Sequence, residues 1–317
     1  MSVELSRRGW MAALPAAVGL GATALASGTP AGPPPTAGSP FRFGLNTSTL
    51  SEGNRLPIAE VVAIAGKAGY EAIEPWLREI EAHKSAGKSV ADLKKQIDDA
   101  GLSVESAIGF AEWAVDDATR RARGLERMRR DMDLVRAVGG RRIAAPPVGL
   151  TESAEADVRK LGERFRAVCE LGEAAGVAPE AEVWGFSRTM SRLGEVAAVV
   201  IESGHPAGCI LPDVYHLHKG GSGIVGLRML APSAIHVFHM NDYPADPPRA
   251  AISDAARVFP GDGVAPLGPL LRGLRDGGFR VTLSLELFNR DYWRRDPAEV
   301  AATGLAKMKA AVAAALA

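Results

Sequence analysis

The segment CILPDVYHLHKGG, residues 209–221, joins a short apolar run to acidic and imidazole side chains. The run from Cys209 to Leu211 is typical of a buried strand, and Asp213 and His216 follow at the point where that strand ends. In parallel α/β proteins, the carboxyl ends of the strands open onto the ligand crevice. Taken alone, the segment is equally consistent with Asp213 capping a turn and His216 packing against a neighbour, so the rest of the chain must decide.

Units of one strand and one helix recur on both sides of this segment. Amphipathic helical patterns end at glycines such as Gly69, Gly101, Gly176 and Gly204, and an apolar strand follows each of them. The predicted strands are Phe41–Asn46, Ala72–Pro75, Leu102–Ile108, Arg142–Ala145, Val177–Val183, Cys209–Asp213, Ile235–Met240 and Val281–Leu287. Alternating strands and helices predict a parallel sheet, and eight units predict an α/β fold of the (β/α)8 TIM barrel type.

A doubly wound open sheet is the alternative fold. It is disfavoured because the residues after the first strand, Gly44-Leu45-Asn46-Thr47, do not form a GxGxxG phosphate loop. We therefore expect residues 41–317 to form one TIM barrel domain.

The first forty residues lie outside this pattern. Arg7 and Arg8 precede an alanine-rich run that ends at Ala26, which predicts a twin-arginine export signal over residues 1–26 and a periplasmic or extracellular location. A short amphipathic helix is the alternative, disfavoured because the run carries no charge and contains a proline. Residues 27–40 are rich in Pro, Gly, Thr and Ala, which predicts a disordered linker.

The composition limits the kinds of partner. The chain of 317 residues has 37 basic and 37 acidic side chains, and this balance gives no footprint for nucleic acid or for an anionic membrane. Its two cysteines, Cys169 and Cys209, fall in a helical and a strand pattern, so we expect buried thiols and no disulfide. We expect no membrane contact of the mature chain, and the sequence leaves a homo-oligomer open.

Four consecutive predicted strands end in side chains that are unusual for a buried strand: Glu182, Asp213, His239 and Glu286. Carboxylates buried close together repel one another and lose their hydration, and a divalent cation would offset both penalties. Three carboxylates and one imidazole favour a single Mn²⁺, Mg²⁺ or Co²⁺ ion, with Zn²⁺ as a further option. Seen singly, Glu182 could pair with an arginine and His239 could be a core histidine, but the joint pattern favours a metal site.

Position along the strand selects between neighbouring candidates. His236 and His239 are an odd number of residues apart and face opposite ways, so only one of them enters the mouth of the barrel. We expect His239, which lies nearer the carboxyl end of its strand, and for the same reason Glu182 rather than Glu180.

Five motifs resemble a known group of enzymes: AEVWGF around Glu182, PDVYHLHKGG around Asp213, HVFHMNDYP around His239, FPGDGV at residues 259–264 and SLELFN around Glu286. They are similar to motifs of the sugar phosphate isomerase/epimerase group of xylose isomerase-like TIM barrels, which includes ketose 3-epimerases, hydroxypyruvate isomerase and inosose dehydratase. The resemblance implies that these four residues bind one divalent metal ion and that the two glutamates also exchange a substrate proton. It further implies that His216 contacts a substrate oxygen and that an arginine, here Arg257, binds the substrate.

Further residues follow the second and third predicted strands. Glu74 ends one strand and Trp113 follows the other, and we expect both at the mouth of the barrel in contact with substrate, with packing as the alternative for the aromatic ring. Asp242, three residues after His239, is expected to orient a ligand of the metal.

The sequence therefore predicts a metal-dependent isomerase or epimerase that acts on a small keto sugar, or a derivative of one, through an enediolate. The same chemistry allows a lyase as the alternative, either a dehydratase or an eliminase of 3-keto glycosides, because a leaving group next to an enediolate can depart. A non-catalytic carbohydrate-binding protein on the same barrel is the third interpretation. Endonuclease activity is disfavoured because the chain has six histidines and a net charge of zero.

Overall fold

The computed structural model describes residues 39–52, 55–153 and 157–317, so the export signal predicted over residues 1–26 and nearly all of the predicted linker lie outside the described residues. The described chain contains eight strands: β1 (Phe41–Asn46), β2 (Ala72–Glu74), β3 (Ser103–Val104), β4 (Arg142–Ala145), β5 (Ala178–Glu182), β6 (Cys209–Leu211), β7 (Val237–Met240) and β8 (Val281–Leu285). All strand pairs are parallel. The predicted (β/α)8 TIM barrel is thus confirmed.

Helices cover the outside of the barrel: α1 (Ile58–Ala68), α2 (Leu77–Ser85), α3 (Val90–Asp99), α4 (Ala118–Ala137), α5 (Val158–Ala175), α6 (Leu193–Ser203), α7 (Val214–Gly220), α8 (Leu267–Asp276) and α9 (Pro297–Leu316). Short 3₁₀ turns lie at Thr47–Thr49, Ile224–Met229, Pro232–Ala234, Asp254–Ala256 and Tyr292–Arg294. Within the described ranges, none of the helices combines the length and the apolar character that crossing a membrane requires.

Local sequence explains where the helices begin, end and pack. Asp117 caps α4 by accepting a hydrogen bond from the backbone N–H of Arg120 at 2.7 Å. Gly176 ends α5 with φ of 70°, a left-handed conformation that disfavours residues with a Cβ. Four leucines at helical spacing give α8 its buried face, Leu267, Leu270, Leu271 and Leu274.

The strands form two hydrogen-bonded sheets, with the orders β3-β2-β1-β8-β7 and β4-β5-β6. Asp213 and His239 join β6 to β7 through a parallel bridge, in which the His239 N–H donates to the carbonyl of Pro212 at 2.9 Å. Between β3 and β4, the Ala107 N–H donates to the Arg142 carbonyl at 3.2 Å and the Ala144 N–H to the Ala107 carbonyl at 2.9 Å. The two sheets are thus joined into a barrel at two places, between β6 and β7 and between β3 and β4. The first of these contacts is made by two predicted metal ligands.

Two details refine the prediction of the strands. The third strand is regular only over Ser103–Val104, because the following residues pair irregularly with β4 and with the end of β2. The sixth strand ends at Leu211, because Asp213 begins α7 as its N-terminal cap. Cys169 and Cys209 are free and buried, as the sequence predicted.

Candidate metal centre and active site

The carboxyl ends of β6, β7 and β8 bring three of the four predicted metal ligands together. One ligand atom each from Asp213, His239 and Glu286 lies within 4.8 Å of the other two. All three side chains are buried. This arrangement follows from the parallel barrel, in which residues far apart in the chain share one edge of the sheet.

The His239 imidazole is placed between carboxylates on both sides. Its Nδ1 lies 3.1 Å from Glu286 Oε2 and 3.6 Å from Asp213 Oδ2, and its Nε2 lies 3.0 Å from Glu74 Oε2. These contacts are close, yet neither ring nitrogen makes a well-oriented hydrogen bond. Burial alone would lower the pKa of His239, but the carboxylates of Glu286 and Glu74 raise it well above its ordinary value.

Glu74 was expected to contact the substrate, and the structure corrects this. Its side chain is buried on the far side of His239, where Asn46 Nδ2 donates to Oε2 at 2.9 Å and Ser284 Oγ at 2.7 Å. Burial opposes its ionisation, but His239 and these donors lower its pKa overall. Glu74 therefore lies against Nε2 of His239 and does not form part of the cavity wall.

Arg257, the predicted substrate-binding arginine, lies at the centre of the site and is fully buried. Its Nη1 donates to Asp213 Oδ2 at 2.9 Å and to Glu286 Oε2 at 2.7 Å. Asp254 accepts from Nη2 at 2.5 Å. Burial opposes the ionised state of Asp213, but Arg257 and the neighbouring histidines hold its pKa well below the usual range. The guanidinium therefore keeps a predicted metal ligand ionised.

His216 lines the same site, as predicted, and its protonation state follows from its partners. Arg257 Nη2 lies 3.1 Å from His216 Nε2, and since a guanidinium only donates, Nε2 must accept. Burial lowers the pKa of His216, so the ring is neutral and carries its proton on Nδ1. Nδ1 is buried and has no hydrogen-bond partner within the described residues.

Glu182, the fourth predicted ligand, ends β5 and lines the cavity above the cluster. Burial raises its pKa to about 8, although His239 acts in the opposite direction. Its Oε2 has no hydrogen-bond partner within the described chain. Glu180 is absent from the cavity wall, so the preference for Glu182 on strand position agrees with the geometry.

A cavity of about 380 Å³ opens above these residues. Its polar side chains include Glu182, His216, Arg257 and Glu286. Much of the wall is aromatic, formed by Trp76, Phe110, Trp184, Phe186, Phe288 and Trp293. This volume lies within the range of about 300–1,000 Å³ that is typical of small-molecule sites.

Trp113 was expected at this mouth, but the structure places it in the core. The side chain is fully buried against Phe165, with ring centroids 5.5 Å apart, and its indole N–H donates to the Pro146 carbonyl at 2.8 Å. The aromatic residues that do line the cavity on this side are Trp76 and Phe110. The sequence could not show which of Trp76, Phe110 and Trp113 line the cavity, because all three follow the second or the third predicted strand.

Asp242 also has a different role from the one expected. It accepts hydrogen bonds from the backbone N–H groups of Tyr243, Gly261 and Ala265 at 2.8–2.9 Å, and so fixes the loop that carries Arg257. Asn241, its neighbour, holds a predicted ligand instead, because its Nδ2 donates to Asp213 Oδ2 at 3.0 Å.

Two asparagines, Asn46 and Asn241, organise the ligands and were not among the predicted site residues. Asn46 Nδ2 donates to Glu74 at 2.9 Å and to Glu286 Oε1 at 3.1 Å, and Asn241 holds Asp213. Each lies at the carboxyl end of a strand, where an amide is unusual, and this signal could have identified both.

The donor set fits a divalent cation. The site contains one guanidinium, two imidazoles and four buried carboxylates, those of Glu74, Glu182, Asp213 and Glu286. The raised pKa of His239, and the smaller contributions by which Glu286 and Asp213 raise the pKa of Glu182, agree with an excess of buried negative charge, which a divalent cation would relieve. The predicted ligands Glu182, Asp213, His239 and Glu286 would hold it.

The fold and the site thus define a single-domain (β/α)8 barrel with a strand-end cluster of carboxylates and imidazole. The chain belongs to the xylose isomerase-like TIM barrel family, whose sequence profile matches residues 62–311.

Individual relatives are similar to the chain over different lengths. An inosose isomerase of Halalkalibacterium halodurans is 30% identical over 135 residues, which cover 42% of this chain and 48% of that protein. A 3-dehydroshikimate dehydratase of Pseudomonas putida is 26% identical over 271 residues, 81% of this chain and 40% of that protein. The chain therefore spans less than half the length of either relative.

The fold is shared with solved structures. The crystal structure of IolI protein with a binding zinc atom superposes with a TM-score of 0.79 at 20% identity, covering 86% of this chain and 98% of that one.

Proposed function

We propose that this protein is a divalent-metal-dependent isomerase or epimerase acting on a keto sugar or a sugar derivative. The observation that carries the proposal is the convergence of Asp213, His239 and Glu286 within 4.8 Å, beside a cavity that Glu182 also lines. The similarity to an inosose isomerase supports this reaction class. The zinc atom of IolI protein supports a divalent ion, for which Mn²⁺, Mg²⁺, Co²⁺ and Zn²⁺ all suit the donor set.

The chain's own residues can carry the proton transfers. A divalent cation held by the four ligands would polarise a carbonyl and its adjacent hydroxyl and acidify the carbon between them. Glu182 then removes the proton from that carbon as a general base, and Glu286, on the third strand further along the barrel, returns a proton from another direction. The free Nδ1–H of His216 donates to a substrate oxygen and stabilises the charge that develops there.

The test is exchange of substrate protons into solvent deuterium. Purified protein is supplemented with Mn²⁺, Mg²⁺, Co²⁺ or Zn²⁺ and incubated with a panel of keto sugars and inososes in D₂O. We expect Glu182→Gln and Glu286→Gln to lower the exchange rate by about two to four orders of magnitude. Glu52→Gln, at the exposed rim of the cavity, is the matched control and should leave the rate unchanged. Exchange that survives in both site variants would overturn the proposal.

A lyase is the second candidate function, and one observation favours it. The similarity to a 3-dehydroshikimate dehydratase extends over 81% of this chain. In this case Glu182 removes the same proton, and a leaving group on the next carbon departs with its bonding electrons. An unsaturated product, detected by its ultraviolet absorbance, would support the lyase, and clean formation of an epimer would exclude it.

A non-catalytic carbohydrate-binding protein is the third candidate. Metal analysis of the purified chain separates it from both enzymes. About one divalent ion per chain, lost in His239→Ala, is expected for an enzyme. No bound metal after supplementation, together with retained sugar affinity, would favour the binding protein.

We also propose export of the folded protein by the twin-arginine route, on the basis of Arg7, Arg8 and the uncharged run that follows. The full chain is produced in a bacterial host, and the mature form is measured in cytoplasmic and periplasmic fractions. Replacing both arginines by lysine should retain the protein in the cytoplasm. Periplasmic delivery of that variant would refute this route.

A further inference from the structure

The aromatic side chains of the cavity wall contact one another in series, and the two ends of the series contact His216 and Arg257, so that together they form a closed circuit of contacts. We use the name aromatic collar for five of its residues: Trp76, Phe110, Trp184, Phe186 and Phe288. Ring centroids of successive members lie 5.0–6.2 Å apart, in the order Phe288, Trp76, Phe110, Trp184, Phe186.

Both ends of the aromatic collar contact polar residues of the site. The Phe186 ring lies 5.6 Å from the His216 ring, and the Arg257 guanidinium lies 4.9 Å from the centroid of Phe288. Arg257 Nη2 and His216 Nε2, 3.1 Å apart, complete the circuit. A ligand that reaches the proposed metal site must therefore pass through or lie against this ring of aromatic side chains.

The indole N–H groups of Trp76 and Trp293, two tryptophans of the cavity wall, donate to protein acceptors. Trp76 Nε1 donates to Asn46 Oδ1 at 2.8 Å, and Trp293 Nε1 donates to the Ser48 carbonyl at 2.8 Å. Trp184 lowers the pKa of Glu182, although the effect of burial prevails. Since phenylalanine has no polar atom, the collar presents carbon surface to the cavity.

This surface is poorly matched to a free sugar. A sugar stacked on one ring of the collar would turn its hydroxyl edges towards the neighbouring rings, and hydroxyls that leave water without a partner weaken binding. The polar cluster consists of Glu182, His216, Arg257 and Glu286. Apart from this cluster and Asp254, the charged side chains that line the cavity within the described residues are Glu52 and Arg290, and both are exposed. An aromatic substituent matches the collar, since offset and edge-to-face contacts between rings are favourable.

Two members of the collar are left open to solvent. Phe110 is 42% exposed and Phe186 is 44% exposed, and Trp184 lies between them in the circuit. Exposed aromatic side chains that belong to one apolar patch are typical of a binding surface. The volume of about 380 Å³ also reaches the size used by drug-sized ligands, which are larger than one sugar ring.

We propose that the aromatic collar binds an aryl group carried by the substrate. The preferred substrate is then a hydroxylated ring or chain with an aromatic substituent, such as an aryl glycoside, which should bind more tightly than the same sugar without that substituent. The placement of its hydroxylated part at the metal ligands rests on the proposed function, but the placement of its aromatic part rests on the collar alone.

Isothermal titration calorimetry of the full chain, with and without Mn²⁺, tests the collar without requiring turnover. The probes are phenyl, cyclohexyl and methyl β-D-glucopyranoside. We expect phenyl to bind about tenfold more tightly than methyl, with cyclohexyl between them. The double variant Phe110→Ala/Phe186→Ala, which removes exposed rings, should reduce the phenyl-to-methyl ratio to about threefold or less. Met229→Ala, at an apolar side chain 88% exposed and outside the cavity wall, is the control and should keep the full ratio.

Several outcomes would overturn the collar proposal: equal affinity for phenyl and methyl glucosides, equal affinity for phenyl and cyclohexyl glucosides, a preference that survives in the double variant, or no binding of any probe. The result is separable from the proposed function. A phenyl preference in a chain that neither binds metal nor exchanges protons retains the collar and refutes the metal-dependent enzyme. Proton exchange on keto sugars without a phenyl preference would refute the collar proposal and retain the metal-dependent enzyme.

Discussion

Glu74 Oε2 lies 3.0 Å from Nε2 of His239, while Nδ1 of the same imidazole faces Glu286 Oε2 at 3.1 Å. The carboxylate of Glu74 is an acceptor only, so it favours a proton on Nε2 and leaves the lone pair of Nδ1 for a cation. Asn46 and Ser284 fix Glu74 in turn. Glu74, which contacts the predicted ligand His239 but does not line the cavity, thus favours Nδ1 as the nitrogen of His239 that would bind metal.

Replacement of Glu74 by glutamine is therefore expected to weaken metal binding by about 10- to 100-fold. An amide can donate to Nε2 and so drive the proton of His239 onto Nδ1, the nitrogen that must bind the cation. Metal affinity is measured by competition with a chelator. Glu52→Gln is the control, because Glu52 is exposed at the rim of the cavity. Equal affinity in wild type and Glu74→Gln would show that Glu74 does not orient the ligand.

Replacement of Trp113 is expected to lower the stability of the protein without changing metal binding or proton exchange. Trp113→Phe removes the hydrogen bond to the Pro146 carbonyl and leaves a gap in the core, which should lower the free energy of unfolding by about 1–3 kcal/mol. Metal content and proton exchange should match wild type at a temperature where the variant is folded. Urea unfolding and the exchange assay measure the two effects. A folded variant with impaired exchange would restore the original expectation that Trp113 contacts substrate.

Close packing at Gly185 positions the helix that carries His216. A Cβ at Gly185 would collide with the His216 carbonyl oxygen and approach the Gly220 N–H to 2.7 Å, both on α7. Gly185→Ala should therefore shift α7 and cost about 1–3 kcal/mol of stability, measured by urea unfolding.

Gly194→Ala is the matched control for Gly185→Ala. A Cβ there meets no atom within 4 Å among the described residues, and Gly194 lies in α6. Alanine at this helical position should stabilise the protein by about 0.5–1 kcal/mol. If the two variants have the same stability, the proposed collision with α7 is wrong.

Asp131 makes stability depend on pH. Burial raises its pKa from 3.8 to about 6, although Arg127 Nε donates to its Oδ1 at 2.6 Å. Because the folded-state pKa exceeds the unfolded value, the native state holds the proton more tightly, and its stability falls as pH rises from about 4 to about 6. Asp131→Asn should remove this loss, so its stability relative to wild type should increase by about 1–3 kcal/mol between pH 4 and pH 7.

Thermal and urea unfolding at several pH values measure the effect of Asp131→Asn. Asp133→Asn is the control on the same helix, because the Asp133 side chain is 61% exposed and its ion pair, at 3.2 Å, is with the exposed Arg129. Its stability difference from wild type should change little with pH. A pH-independent difference for Asp131→Asn would show that Asp131 is ionised at the same pH in both states.

The chain order of strand ends was sufficient to predict much of the site. Apolar strands separated by amphipathic helices specify a parallel barrel, and its symmetry brings Asp213, His239 and Glu286 to one edge. Alternation along the strand showed that only one of His236 and His239 enters the mouth of the barrel, and nearness to the carboxyl end of the strand selected His239. These features repeat regularly along the sequence, so they can be recognised without knowing the conformation of the loops.

Only the tertiary structure determined what surrounds those ligands. Glu74 and Trp113 follow strands as the cavity residues do, but one lies behind His239 and the other in the core, because side-chain direction at a strand end depends on packing with distant residues. Asn46 contacts Glu286 across 240 positions of sequence. The sequence by itself thus determined the barrel and the identity of the metal-ligand candidates through local periodicity, and the tertiary structure decided the supporting hydrogen bonds and the aromatic collar, since both depend on contacts between residues far apart in the chain.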